Sequence, residues 1–419
     1  IQGSAEAPVE IWGSWVADTS IQARWQGFLL ASGSSSTVSH ANISDARGGF
    51  DVESGTTLVI DSTNLTDTII GVWVRGTLSG DGFACHSATT SCLRVDGTAT
   101  LTDVTSTLSA EVVHVHNGGN ANVGTVTSSN DADVIVLDDG STFYGEAIAD
   151  GFTRLVRGSG SVTATVTESL TGGGEVLVEA DALSGLVVIG DSFCSSDCAV
   201  DSLLVGTVED IEFSSLYLTC GGSAPCIDAR IDGELAFVGA WPSTEINANG
   251  TFARLRGDGT VNINELSLMS SNVLFDVSGS GELFVTSSSL RFEEGGSISG
   301  WSLEISDTII LAEENGLVLL DVQASLSLIE LNRDFSSSDT TSVGLRAVWS
   351  DVEMNDVTIS GWNEGIRCES ECSITGTDLT SGGGGRNSGS GVTIAGGSIQ
   401  LDTLVTSSSD VGIDVVGGS

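Results

Sequence analysis

Short apolar runs recur along this chain with a fixed beat. Gly27-Phe-Leu-Leu, Gly49-Phe-Asp-Val and Gly71-Val-Trp-Val start 22 residues apart, and Cys92-Leu-Arg-Val follows 21 later. Near the other end, Gly344-Leu-Arg-Ala, Gly365-Ile-Arg-Cys, Gly391-Val-Thr-Ile and Gly412-Ile-Asp-Val are separated by 21, 26 and 21. A constant period of this size, built from short alternating runs, marks a repeat architecture. After each start come two apolar residues one apart: Phe28/Leu30, Phe50/Val52, Val72/Val74, Leu93/Val95, Val113/Val115 and Val134/Val136. Alternation with period two gives a strand with one buried face. A glycine turn follows, as at Gly76, Gly97, Gly118 and Gly140. A second strand then ends at a small or polar corner: Asp61, Asp103, Gly124, Asn264, Thr286, Ser306, Asn355 and Asp402. Such residues suit corners because they tolerate unusual backbone angles or bond their own backbone. A third short strand closes the unit, as in Val357-Thr-Ile or Leu404-Val-Thr.

Three strands and three corners in 21 or 22 residues make one coil. At ~3.3 Å per residue its perimeter is roughly 70 Å, the size of a tube filled by its own side chains, and successive coils pair as parallel strands ~4.8 Å apart. The handedness of parallel connections points to a right-handed turn. The fold class predicted is all-β, a right-handed parallel β-helix. The beat is clear to about residue 160 and returns from Thr251. Between them, loop excursions from the corners are expected. Further insertions are expected at Ser336 to Thr341 and in the glycine run from Ser381. Residues 27–419 form the β-helix on this reading. Residues 1–26 hold Trp12, Trp15 and Trp25, three of the eight tryptophans, and form an apolar cap or a degenerate first coil.

Gly-Ile/Val-x-Val, an Asn/Asp corner and Val-x-Ile at this spacing together resemble the right-handed parallel β-helix, or pectin-lyase-like, superfamily. They are also similar to the solenoid repeats of archaeal and bacterial surface proteins. The resemblance covers residues 25–419 and implies a fold. It implies no activity: some polysaccharide-cleaving hydrolases among its members carry Gly-His-Gly and Arg-Ile-Lys segments, and neither occurs in this sequence.

Composition changes the picture in three ways. Hydrophobic residues make up 40% of the 419, which argues against disorder despite the Ser, Thr and Gly content. The net charge is −42, with no lysine and 14 arginines, so the surface repels phosphate backbones and anionic lipid. Nucleic acid is not an expected partner. No apolar run reaches the length of a membrane-crossing helix. Finally, the eight cysteines fall into close pairs: Cys85/Cys92, Cys194/Cys198, Cys220/Cys226 and Cys368/Cys372. Even numbers in close pairs suggest local disulfides and an oxidising compartment. Zinc needs clustered Cys and His, and only Cys85 has a histidine beside it, His86.

Candidate chemistry is sparse. His114 and His116 flank inward-pointing Val115 and point outward together. Asp131, Asp133, Asp138 and Asp139 offer carboxylates near a corner that would suit calcium, which takes several oxygen ligands. Glu293-Glu294 and Glu313-Glu314 are similar. Asn42-Ile-Ser, Asn64-Leu-Thr and Asn249-Gly-Thr match the N-glycosylation acceptor. No catalytic residues are assigned and no cofactor is expected, calcium at these aspartates excepted. An extracellular or cell-surface structural protein is expected, self-associating through its terminal coils into filaments, because an exposed last coil is an open sheet edge. The alternative is a carbohydrate-binding adhesin or a polysaccharide-processing β-helix.

Overall fold

A computed structural model describes residues 1–4, 6–12, 26–190, 199–239, 245–333, 341–383, 389–407 and 410–416. The described residues contain no helix and form a parallel β-solenoid of about 16 turns. The chain divides into two compact units, Ile1–Val205 and Gly206–Ser419.

In the first unit, successive coils pair in parallel, with register shifts at Val123/Thr125, Ser159/Ser161 and Ser161/Ala164. On the first sheet, inward residues stack as Phe28, Phe50, Val72, Leu93, Val113 and Ile135. All but the first are buried completely or nearly so. The alternation therefore predicts the inward set through Val113, then slips by one residue. Val113 pairs with Ile135 and Val115 with Leu137, so the sixth pair is Ile135/Leu137, not Val134/Val136. Val134-Ile-Val-Leu is apolar at every position, so alternation carries no signal there.

The second and third strands are separate in the first coils, at Thr57–Asp61 and Thr63–Thr66. In later coils they fuse across the corner into single bent strands such as Thr98–Thr107 and Asn120–Ser129. The corner after the third strand repeats one device. Asp45, Asp67, Ser87, Leu108, Asn130 and Gly151 all take left-handed backbone, with φ between 52° and 67°. Each of the first five donates its N–H to a carbonyl of the next coil, such as Leu108 to Ser129 at 3.2 Å.

In the second unit, inward columns again run through the coils, for example Val261, Leu283, Leu303, Ala324 and Val352. Trp301, 1% exposed, occupies space left by Gly281, whose missing Cβ would lie 3.0 Å from the indole. The corner between second and third strands is left-handed at Glu265, Ser287, Asp307 and Asp356. These lie one residue after the expected corner positions Asn264, Thr286, Ser306 and Asn355. The polar residues end the second strand, and the next residue makes the turn.

The stretch from 160 to 250, irregular in sequence, keeps its strands: Gly174–Gly190, Ala199–Ser214, Tyr217–Cys220, Ile227–Val238 and Glu245–Ala248. At the chain start, Val9–Trp12 pairs in parallel with Ala41–Ser44. That segment is a strand laid on the first coils; Trp15, Trp25 and most of the two expected loops, at 336–340 and 384–388, lie outside the described residues.

Candidate functional site

In-register pairing turns one outward position into a column that crosses many coils. On the first sheet of the first unit the column reads Asp51, Trp73, Arg94, His114, Val136, Arg157 and Glu179. A neighbouring column carries Glu111, Asp133 and Arg154. This face gathers the polar chemistry that is scattered in the sequence.

His114 lies at its centre. Its Nδ1 is 3.1 Å from Glu111 Oε2, and its Nε2 is 3.1 Å from Asp138 Oδ2. His116 spans Asp96, 3.0 Å from Nδ1, and the same Asp138 oxygen, 3.4 Å from Nε2. The two rings meet edge to face at 5.5 Å. Glu111 also accepts from Ser91 Oγ at 2.6 Å and from Arg157 at 3.1 Å. Asp133, its side chain 4% exposed, takes Arg154 at 2.6 Å and Arg157 at 3.2 Å. Arg154 continues to Glu179 at 3.1 Å. Farther along, Arg75 and Arg94 sit over the Trp73 ring at 4.7 and 5.3 Å, and the Trp73 indole donates to Asp96.

The electrostatics follow from these partners. Burial alone would raise the Glu111 pKa. The hydrogen bonds from His114 and Ser91, with the charges of His114 and Arg157, outweigh it and hold the carboxyl below its ordinary value. Burial alone would lower the His114 pKa. Its bonds to Glu111 and the charges of Glu111 and Asp138 outweigh that, and the imidazole is more basic than usual. Both ring nitrogens of His114 are engaged, so protonation adds a donor to a carboxylate already in place.

The two histidines point outward as their alternation with Val115 requires, but they are tied to carboxylates on neighbouring coils instead of standing free. The four aspartates considered for calcium do not converge. Asp131 is 2% exposed and faces inward; it accepts from Ser109 N at 2.6 Å, Ser128 Oγ at 2.8 Å, Ser106 Oγ at 3.0 Å and Ser129 N at 3.1 Å. Asp133 faces two arginines, Asp138 two histidines, and Asp139 accepts from Ser161 N at 2.9 Å. Two residues of spacing put Asp131 and Asp133 on opposite sides of a corner, which the sequence run conceals. Among the described residues no three His, Cys, Asp or Glu side chains are grouped to hold a metal ion.

Cys220–Cys226 and Cys368–Cys372 are disulfides, which points to an oxidising compartment. Cys85 and Cys92, expected as a bridge, are both buried thiols; Cys194 and Cys198 lie outside the described residues. Asn42 and Asn64 are stacked partners on the third sheet. Asn64 Nδ2 donates to Asn42 Oδ1 at 2.7 Å, and Asn42 Nδ2 to Glu10 at 2.6 Å. Asn64 and Asn249 are exposed and Asn42 is half-buried.

One feature escaped sequence reasoning. A groove of about 670 Å³ lies on the first sheet of the second unit, lined by Asp276, Glu294, Arg346, Arg367 and Glu369 among others. Arg346 and Arg367 are paired neighbours and both bind Glu369. The signal was the repeated Arg in Gly344-Leu-Arg and Gly365-Ile-Arg, in a chain with 14 basic residues. Glu293 is exposed, and the Glu313 carbonyl accepts from Arg333 at 3.0 Å. Comparison of the chain with family models, curated proteins and solved structures finds no match.

Proposed function

We propose that this chain is a structural module of an extracellular or cell-surface protein, built on a right-handed pectin-lyase-like β-helix. One observation carries the reading. The side chains richest in chemistry spend it on neighbouring coils: Glu111, 46 residues from Arg157, is tied to it across the sheet face, and His114 joins coils through Glu111 and Asp138. Groups held this way act as cross-ties. The reading extends to end-to-end self-association. Coils of this fold join edge to edge as parallel strands, as Ser390–Ser407 does with Val411–Val415. A coil of a second copy can offer the same kind of edge for strand addition. Negative-stain micrographs of the purified protein test it. Filaments are expected; single particles at every concentration would defeat the self-association part.

The Arg346–Arg367 groove favours a second reading, a glycan-binding module. Two adjacent guanidiniums supply planar donors suited to carboxylate or sulfate groups on a sugar. Glycan-array binding that is lost in Arg346→Ala and Arg367→Ala would favour it over the structural one.

A further inference from the structure

Two corners of this protein, one in each unit, use the same pair of cysteine positions. Cys220 is the second inward residue of its third strand, after Leu218, and stacks on Ala248. Cys85 is the second inward residue of its own third strand, after Phe83, and stacks on Leu65 and Ser106. Cys226 immediately precedes Ile227, the first inward residue of the next coil, which pairs with Ala253. Cys92 immediately precedes Leu93, which holds the same place between Val72 and Val113. All four are buried: Cys85 3%, Cys92 0%, Cys220 2% and Cys226 1% exposed. One pair is a disulfide and the other is two thiols.

The surroundings of the thiol pair favour closure. Gly71 stacks on Cys92 and lacks a side chain; a Cβ there would lie 3.2 Å from Cys85 Sγ. The Cys85 sulfur therefore turns toward the column that holds Cys92. The Cys92 thiol faces the Cys85 thiol and the Ser106 hydroxyl.

We propose that Cys85 and Cys92 form a corner disulfide like Cys220–Cys226, and that it closes only while this corner is open to solvent, during folding. The chemistry balances with a disulfide-type oxidant, small-molecule or enzymatic. One cysteine, as thiolate, attacks the oxidant's S–S bond and displaces one thiol. The second thiolate then displaces the other. Both S–H bonds are broken, one S–S bond is made, and the two electrons leave on the reduced oxidant. In the folded state, burial holds the Cys92 thiol well above its ordinary pKa, and both sulfurs are shielded from any oxidant. The redox state of this corner thus records the medium in which the chain folded.

Trypsin tests this directly, because Arg75 and Arg94 bound a peptide that contains both cysteines. The full chain is folded from denaturant once with oxidised and reduced glutathione present, and once with reductant alone. Each sample is then unfolded, alkylated and digested. Folding with oxidant is expected to give the 76–94 peptide lighter by two hydrogens and unalkylated. Folding with reductant, followed by oxidised glutathione added to the native protein, is expected to close the bridge about tenfold more slowly, or slower still, than in the unfolded chain. Cys220–Cys226 is the internal control. Its closure alongside an alkylated Cys85/Cys92 pair in the oxidant-folded sample overturns the proposal. Equal closure rates in native and unfolded chains overturn the gating by burial.

Discussion

Leu108 occupies a backbone position that its neighbours fill with better-suited residues. Its φ is 59°, and its side chain is 56% exposed. The same corner holds Asp45, Asp67, Ser87, Asn130 and Gly151 in the other coils. Left-handed backbone crowds Cβ against the following carbonyl, and Asn tolerates it best after Gly. Leu108→Asn is expected to stabilise the protein by roughly 0.5–1 kcal/mol, read as a higher denaturation midpoint. His114 makes a second residue-scale case. Its folded pKa is raised, so its contribution is full below the unfolded value of 6.5 and fades as pH rises through the folded value. Glu111 is the reverse: its pKa is lowered, so its contribution is full above 4.5 and is lost as pH falls through the folded value. The pair therefore stabilises most between pH 4.5 and 6.5. His114→Gln should cost roughly 1–2 kcal/mol within that window and distinctly less at alkaline pH, measured by urea titration at several pH values.

At the scale of the coil, alternation and corner chemistry make the strands legible in the sequence. Phe50, Leu93 and Val113 could be placed inward from sequence because a polar residue separates each from its partner, and Val72 by its 22-residue spacing from Phe50. Ile135 could not, because its run is apolar throughout. Partners across coils were equally hidden. Nothing in Asn130-Asp-Ala-Asp shows that Asp131 turns in to cap serines of the preceding coil while Asp133 turns out to two arginines. That contact is a matter of register, which one repeat cannot reveal. Its weight can be measured. Asp131→Ala strands two backbone N–H groups and two hydroxyls in a buried corner, and a loss of about 3–5 kcal/mol is expected. Asp131→Asn keeps acceptor oxygen and should lose less. Hydrogen exchange at the Ser109 and Ser129 amides, whose donors Asp131 holds, should accelerate in both variants.

For the molecule as a whole, stability is shared between neighbours and not stored in any one coil. Leu283 and Leu303 occupy the same inward column, as do Val261 before them and Ala324 after them. Removing residues 283–302 brings Val261 against Leu303 and keeps every later column in phase. That variant is expected to fold with native-like strand content and a modestly lower midpoint. Deleting Leu283 alone shifts its strand by one residue, so inward side chains turn outward. Circular dichroism and urea titration of the two variants should therefore rank the larger deletion as the milder one. The same continuity explains why the candidate sites were hard to see in advance. A face such as that around His114 draws on residues from five or more coils, and each coil looks ordinary by itself.

The common register of the columns also bears on how such a chain changes length. A gain or loss of one full period leaves old and new neighbours equally matched, so the fold can be extended or trimmed in quanta of ~4.8 Å along its axis. The number of whole periods therefore sets how many coils the fold holds.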